Sequence, residues 1–363
     1  MSLKPVAVVF TLLLALAGAL LCSYLGTPLP WMIGPLLVSA CASVAGLPTS
    51  SWRPLSNAGQ WVIGAALGLY FTPQVTALVA SLWWAIALAI VWALALGLGF
   101  GAWLHRVNAR SWVGTSQAAS RATSYFAGAI GGASEMTLLA ERAHARTDLV
   151  AASHSLRLLL VTLTIPFAMQ FSGLHGLDLN PPLLRAVSWP GLAALALGTA
   201  AGAWLLQLLG RANPWFMGAL LVAMGLTMAG IDLSGMPRWL TNAAQLLIAV
   251  GLGVRFSRSF LHSAPRWLGS VVLGTMAMLV LCGGFAWLLG LATGLPLATL
   301  ILGTSPGGIA EMAITAKVLQ LGVPVVTAFQ VCRLVAVLIL VAPLYRWLYP
   351  ELPELRAVPG SPD

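Results

Sequence analysis

The chain has 363 residues, of which 59% are hydrophobic and 7% are charged, and its formal net charge is +9. A soluble domain carries about 25% charged residues, so this composition excludes a soluble globular protein and indicates an all-α polytopic membrane protein. The basic residues are spread over short loops, as expected for loops held on the cytoplasmic side, and this excludes a soluble nucleic-acid-binding domain.

Apolar length and polar breaks predict two similar series of helices along the chain. In the first half we predict spans at 5–25, 31–45, 58–71, 75–104, 114–140 and 149–171. In the second half we predict spans at 189–209, 215–229, 243–256, 267–291, 297–318 and 325–348. This divides the chain into a first membrane repeat (1–171), a connecting loop (172–187), a second membrane repeat (188–348) and a Pro-rich tail (349–363) that we expect to be disordered.

One short phrase occurs in both halves, as GGASEM at 131–136 and as GGIAEM at 307–312. At equal spacing after each phrase an arginine follows, within HSLRL at 154–158 and within QVCRL at 330–334. Two further pairs match in the same order: PWMIG at 30–34 with PWFMG at 214–218, and NAGQ at 57–60 with NAAQ at 242–245. Such matches indicate an internal duplication, which is the usual architecture of secondary transporters.

The loop charges distinguish parallel from inverted halves. If all six segments of each half cross the membrane, the loop Lys and Arg residues split almost evenly between the two sides. If each glycine stretch instead enters and leaves on one side, twelve basic residues share a side: Lys4, Arg53, Arg106, Arg110, Arg142, Arg146, Arg211, Arg255, Arg258, Arg266, Arg346 and Arg356. Only Arg185, Arg238 and Lys317 then lie opposite.

That bias predicts two inverted-topology repeats, each with about five crossings and one re-entrant or broken Gly-rich segment. We therefore expect a multi-pass protein of the bacterial inner (plasma) membrane with both termini in the cytoplasm.

Five charged residues lie within the apolar stretches and are candidate substrate or ion ligands: Glu135, Arg157, Glu311, Arg333 and Arg121. A charge at bilayer depth costs several kcal/mol, so such residues pair with one another or line a water path. Two interpretations remain open. Each glutamate pairs with the following arginine to hold elements together, or these residues bind substrate and carry protons.

The phrases themselves supply further candidates: Gly131, Gly132, Ser305, Gly307 and Gly308. Paired glycines let the backbone turn and let a ligand approach closely, and the free amides of a new helix start favour an anion. Close helix packing through small residues is the alternative. In the second copy Pro306 interrupts the preceding segment, whereas the first copy has Ile130 at that position.

Polar residues at matching positions complete the candidate set: His154 with Gln330, and Asn57 with Asn242. His154 lies three residues before Arg157, on the same helix face, and is a candidate proton group or a hydrogen-bonded packing residue. The two asparagines either line a cavity or cap a helix near the interface.

The two phrases, the HSLRLLL run at 154–160 and the duplication resemble the AbrB membrane-protein family, which is also labelled ammonia monooxygenase. The resemblance covers about residues 8–348, and 304–312 is its best-matching part. Family names imply a regulator or an oxygenase. An oxygenase needs a cluster of metal ligands, and a transcription factor needs a soluble DNA-binding unit; the sequence offers neither. We expect no enzymatic activity, no cofactor and no nucleic-acid partner.

The duplication and the intramembrane charges together favour a secondary transporter or exporter of a small solute, ion- or proton-coupled, working by alternating access. The two arginines favour an anionic solute. The alternative is a solute-binding membrane regulatory protein that acts indirectly on gene expression. The expected partners are the solute and the lipid bilayer, and a homo-oligomer is left open.

Overall fold

A computed structural model describes residues 3–112, 116–174, 176, 186–256 and 264–349, and the tail from 350 onward lies outside the described residues. These ranges contain fifteen α-helices, a short 3₁₀ helix at Ala109–Trp112, and no strand. The first half holds α1 (Leu3–Tyr24), α2 (Pro30–Val44), α3 (Arg53–Gly68), α4 (Pro73–Ser81), α5 (Trp83–Val107), α6 (Gln117–Gly128), α7 (Ala133–Arg142) and α8 (Thr147–Ser172). The second half holds α9 (Trp189–Leu208), α10 (Pro214–Met228), α11 (Arg238–Gly253), α12 (Pro265–Thr293), α13 (Leu297–Thr304), α14 (Ile309–Val318) and α15 (Val323–Leu348).

Six helices are long and apolar enough to cross a bilayer, namely α1, α5, α8, α9, α12 and α15. A spanning helix needs about 20 residues, and each of these has at least that length. The prediction of an all-α polytopic membrane protein is therefore confirmed for the part of the chain that the structure describes.

The span predicted at 75–104 is two helices, which corrects the sequence analysis. α4 follows α3 at an angle of 91° and ends before α5 begins at Trp83. Pro73 occupies the first position of α4, and the side chain of Thr72 accepts a hydrogen bond from the Val75 amide at 3.4 Å. A capping residue followed by proline starts a new helix, so the apolar run continues through a bend that hydrophobicity alone does not reveal.

The helices pack into two bundles. The short-helix bundle contains α1, α2, α3, α9, α10 and α11, and the broken-helix bundle contains α5 to α8 and α12 to α15. In the short-helix bundle, glycines allow neighbouring helices to approach closely. A Cβ at Gly34 would collide with the carbonyl of Gly18, and a Cβ at Gly218 would collide with the backbone of Gly202 and Ala203. Each bundle draws helices from both halves of the sequence, so the packing units are not the two predicted repeats.

The two halves share helix order and local geometry at the positions that the sequence matches relate. α2 and α10 have 15 residues each, α3 and α11 have 16, α7 and α14 have 10, and α8 and α15 have 26. Among the described residues, four non-glycine residues have positive φ. They occupy matching positions in the two halves: Leu29 (47°) with Asn213 (49°), and His144 (49°) with Gln320 (55°). The first pair precedes α2 and α10, and the second follows α7 and α14.

Candidate functional site

Both glycine phrases are helix breaks. α6 ends at Gly128 and α7 begins at Ala133, while α13 ends at Thr304 and α14 begins at Ile309. The second glycine of each phrase is the extended N-cap residue of the new helix, with φ −67° at Gly132 and −76° at Gly308. The first copy therefore breaks without a proline at position 130.

The first glycine of each phrase makes room for the methionine. A Cβ at Gly131 would lie 2.8 Å from Met136 Cε, and a Cβ at Gly307 would lie 2.9 Å from Met312 Cε. Both methionine side chains are fully buried. Each methionine therefore packs back onto its own break, and a larger residue at the first glycine would displace it.

The second glycine makes room for the glutamate. A Cβ at Gly132 would overlap Glu135 Oε2, and a Cβ at Gly308 would overlap Glu311 Oε2. Both glutamates stand in the first turn of their helix, where a carboxylate is stabilised by the positive end of the helix dipole. The spacing in Gly-Gly-x-x-Glu-Met thus has a steric and an electrostatic cause.

Gly308→Ala is expected to displace the Glu311 carboxylate and leave the backbone intact, because the colliding atoms are the far end of a flexible side chain. We expect a loss of about 1 kcal/mol in the free energy of unfolding, measured by tryptophan fluorescence on heating. The same change in a Glu311→Ala background should cost less. Gly99→Ala is the matched control, since a Cβ there meets nothing within 4 Å. Equal costs with and without the Glu311 side chain would contradict this steric account.

The two buried arginines cap the broken helices. Arg333 donates from Nη1 to the Ser305 carbonyl and from Nη2 to the Gly307 carbonyl, the latter at 2.8 Å. Arg157 donates from Nη2 to the Ala129 carbonyl at 3.0 Å and lies 3.5 Å from the carbonyls of 127 and 128. The last carbonyls of a helix have no partner within the helix and carry its negative end, so a guanidinium group satisfies both requirements.

His154 and Gln330 lie one helical turn before Arg157 and Arg333, on α8 and α15, and their side chains contact carbonyls of the same helix ends. Gln330 Nε2 donates to the carbonyls of residues 302, 303 and 305, at 2.7, 3.3 and 3.2 Å. His154 Nε2 contacts the Phe126 carbonyl at 2.9 Å, and its Nδ1 lies 2.8 Å from Arg157 Nη2. Because Arg157 can only donate, Nδ1 accepts and the proton lies on Nε2. Both ring nitrogens are engaged, which fits the hydrogen-bonded packing role and not the proton-carrying one.

Of the two interpretations left open by the sequence, pairing of each glutamate with the following arginine does not occur among the described residues. Between described residues the structure forms one ion pair, Arg146–Asp148 at 2.6 Å. The physical reason lies in the breaks: each arginine neutralises the carbonyl end of one helix, and each glutamate neutralises the amide end of the next. The two charges serve the same break without touching.

Hydrogen bonds establish the direction of the helices around the first break. The Arg146 amide, immediately before α8, donates to Thr123 Oγ1 in the middle of α6 at 3.0 Å, and Arg157 reaches the end of α6. α8 therefore runs in the same direction as α6, and α7 must return between them. Gln330 and Arg333 of α15 relate to α13 in the same way.

The two breaks are approached from opposite directions. Tyr125 Oη donates to the Val341 carbonyl at 2.8 Å, and Arg121 lies 5.7 Å over the ring of Tyr349. Residue numbers therefore rise along α6 where they fall along α15, so these two helices are antiparallel. Because α15 runs in the same direction as α13, α6 and α13 are antiparallel as well.

The two breaks differ in burial. Glu311 is 9% exposed and the adjoining helix α14 is buried against α15 and against α3 of the short-helix bundle. Glu135 is partly exposed, and α7, which packs against α6 and α8, buries only Met136 and Ala140. The equivalent residues Leu138 and Ile314 are 49% and 1% exposed.

Three candidates lie away from the breaks. Arg121 is in the first turns of α6, at the end opposite the break. Asn57 and Asn242 are half-buried in the first turns of α3 and α11, in the short-helix bundle, and neither side chain bonds to another described residue. Sequence reasoning missed Arg255, at the end of α11, whose charge acts on Glu311. Its sequence context resembles any basic loop, so no signal could have identified it.

No group of three or more His, Cys, Asp or Glu residues in the described ranges could hold a metal ion. The residues at the breaks are backbone carbonyls, two guanidinium groups, one amide, one imidazole and two carboxylates. Such a set can bind a charged solute or a proton. Its hydrogen-bond donors are the cationic guanidinium groups and the neutral amide and imidazole.

Comparison with known proteins places the chain in a family. The family described as transition state regulatory protein AbrB matches residues 31–349. The chain is 26% identical to YhjN of Bacillus subtilis (strain 168), described as uncharacterized, over 92% of this chain and 91% of that protein. It is also 26% identical to AbrB of Escherichia coli (strain K12), named as a candidate regulator, over 91% of this chain and 93% of that protein. No solved structure matches the chain. Since the family match covers most of its length, this all-helical, multi-pass membrane protein belongs to the AbrB family.

Proposed function

We propose that the protein is a secondary transporter of a small solute, coupled to an ion or proton and working by alternating access. The observation that carries this proposal is the pair of helix breaks, approached from opposite directions and lined by buried charges. Secondary transporters place their substrate site near the bilayer midplane, where discontinuous helices direct their ends at the substrate. Buried charges without ion-pair partners are costly in a membrane and mark such sites.

In our proposal, α6/α7 and α13/α14 are re-entrant hairpins that enter from opposite faces of the inner membrane. The antiparallel directions of α6 and α13, together with the return of α7 and α14, support this topology. Each half then crosses five times: through three long helices (α1, α5 and α8, or α9, α12 and α15) and through two helices of 15–16 residues (α2 and α3, or α10 and α11). The loop-charge bias favours cytoplasmic termini in this arrangement. Irregular backbone at membrane depth is tolerated here because protein groups satisfy its carbonyls.

The broken-helix bundle is the moving part in this proposal. Both breaks and all their capping residues belong to it, whereas Asn57 and Asn242 belong to the short-helix bundle. α14 packs on α3, while the corresponding helix α7 leaves a face exposed. Exchanging these two arrangements, with α7 packed and α14 released, would open the site to the other side of the membrane.

Glu311 is the proposed proton carrier. It is buried, forms no ion pair within the described residues, and lies within the electrostatic influence of Arg255 on the other bundle. Movement between the bundles would change that influence and so change the affinity of the carboxylate for a proton. Glu135, at the more open break, takes the equivalent place in the other half.

Proteoliposomes that contain a pH-sensitive dye test this function while the substrate is still unidentified. A panel of small organic anions and cations, added outside, is expected to produce proton flux for at least one member. Glu311→Gln should reduce that flux at least about tenfold, because a neutral amide cannot carry the proton. Glu141→Gln, an exposed acid at the far end of α7, is the matched control and should retain flux. Unchanged coupling in Glu311→Gln would rule out this proton carrier.

A membrane regulatory protein is the second candidate, favoured by the family description and by the name of the E. coli relative. Such a protein would bind a solute and change conformation without moving it. Saturable binding to the purified protein, with no flux of the same solute in proteoliposomes, would favour this function over transport.

A further inference from the structure

The guanidinium group of Arg333 has one unoccupied edge. Its Nη1 donates to the Ser305 carbonyl and its Nη2 to the Gly307 carbonyl, while its Nε has no hydrogen-bond partner among the described residues although it is buried. The side formed by Nε–H and the second Nη2 hydrogen is the edge that grips a carboxylate with two parallel hydrogen bonds.

Arg157 is not equivalent to Arg333. Its Nη2 uses both hydrogens, on the Ala129 carbonyl and on His154 Nδ1, so only Nε is left without a partner. The first arginine is therefore mainly a cap for its helix, and the second is a cap with a free binding edge.

Gln330 adds an acceptor beside this edge. Its Nε2 is held by three carbonyls, which fixes the orientation of the amide and directs Oε1 away from them. Oε1 is buried and has no partner among the described residues. Residues 330 and 333 are three apart on α15, so their side chains are neighbours on one helix face. A buried acceptor without a donor is unfavourable unless a ligand provides one.

We propose that this site binds a small carboxylate that carries a hydroxyl or amino group, with the carboxylate on Arg333 and the donor on Gln330. This inference rests on the proposed function, because it names the substrate class of the same site. In the present arrangement both free groups are shielded from solvent, so the ligand reaches them when α14 separates from α3.

Lactate and propionate are suitable probes, since they differ by one hydroxyl group. The purified protein is heated with sodium lactate, sodium propionate or sodium chloride at equal ionic strength, and unfolding is followed by tryptophan fluorescence. We expect lactate to raise Tm more than propionate, and propionate more than chloride. Equal Tm values for lactate and chloride in the unmodified protein would overturn the proposal.

Two variants assign the contacts. Arg333→Lys keeps a cation at the carbonyls but loses the forked edge, and it should weaken lactate binding about ten- to a hundredfold. Gln330→His copies the residue at the matching position of the first half; it should remove the preference for lactate over propionate. Arg142→Lys, at an exposed arginine in the last turn of α7, is the matched control and should bind lactate as well as the unmodified protein. Undiminished lactate binding in Arg333→Lys, or an undiminished preference for lactate in Gln330→His, would overturn the proposal.

Flux measurements separate this inference from transport itself. Lactate binding without lactate flux in proteoliposomes would support the ligand class and count against the transporter. Flux of another solute, with no stabilisation by lactate, would support the transporter and overturn the ligand class.

Discussion

Replacing Arg333 with alanine is expected to lower the free energy of unfolding by about 2–4 kcal/mol and to abolish transport. The side chain is 5% exposed and its only hydrogen bonds within the described residues go to the carbonyls of Ser305 and Gly307. Each buried carbonyl left without a partner costs about 1–3 kcal/mol, and removal of a buried cation that had lost its hydration offsets part of that cost.

Thermal and denaturant unfolding of the purified protein measure this loss, and proteoliposome flux measures the activity. Arg121→Ala is the matched control, because that arginine contacts the Tyr349 ring away from the break and should cost much less. Arg333→Lys should fall between the two, since a lysine places one cation but cannot bond both carbonyls in the same fork. An alanine variant as stable as the unmodified protein would mean that the Ser305 and Gly307 carbonyls need no cap.

The sequence predicts the position of both breaks for a physical reason. Consecutive glycines in an apolar stretch weaken a helix, and an acid three residues after the second glycine favours a new N-terminus. These rules are local, so they do not depend on the tertiary fold. The break at 131–132 forms without proline, because the glycines and the glutamate suffice there.

The partners of the arginines could not be predicted in this way. Equal spacing from Glu135 to Arg157 and from Glu311 to Arg333 indicates a repeated relation, but opposite charges in a sequence always suggest an ion pair. The carbonyls that actually bind the arginines become acceptors only because the helices end there. Backbone acceptors leave no trace in residue identity, and the bend between α3 and α4 likewise leaves none in hydrophobicity.

The interleaving of the two bundles was also beyond sequence reasoning. Pattern matches relate helices along the chain, whereas packing is decided by the faces that meet, such as those of α3 with α10 and of α2 with α11. The difference in burial between the two phrases follows from this packing. α14 is covered because it meets α3, and α7 is open although its own sequence pattern is nearly the same.

Cysteines placed at Leu138 and Ile314 are expected to react at rates that differ at least about tenfold with a water-soluble maleimide. The two positions are equivalent in their helices but are 49% and 1% exposed. The experiment starts from a chain in which Cys22, Cys41, Cys282 and Cys332 are replaced by serine or alanine. If the face of α7 lines a water-filled opening, Leu138→Cys should be labelled rapidly and Ile314→Cys slowly.

Alternating access further predicts that this ratio can be reversed. Ala310 belongs to the core that joins α14 to Val62 and Ile63 of α3, so Ala310→Leu overpacks that contact by about 1–3 kcal/mol. The variant should favour the state with α14 released, which raises the labelling rate at position 314 and lowers it at 138. Ser134→Leu, at the equivalent exposed position of α7, is the matched control and should leave the ratio unchanged. A rise at 314 without a fall at 138 would indicate local loosening of α14 and would count against an exchange between two states.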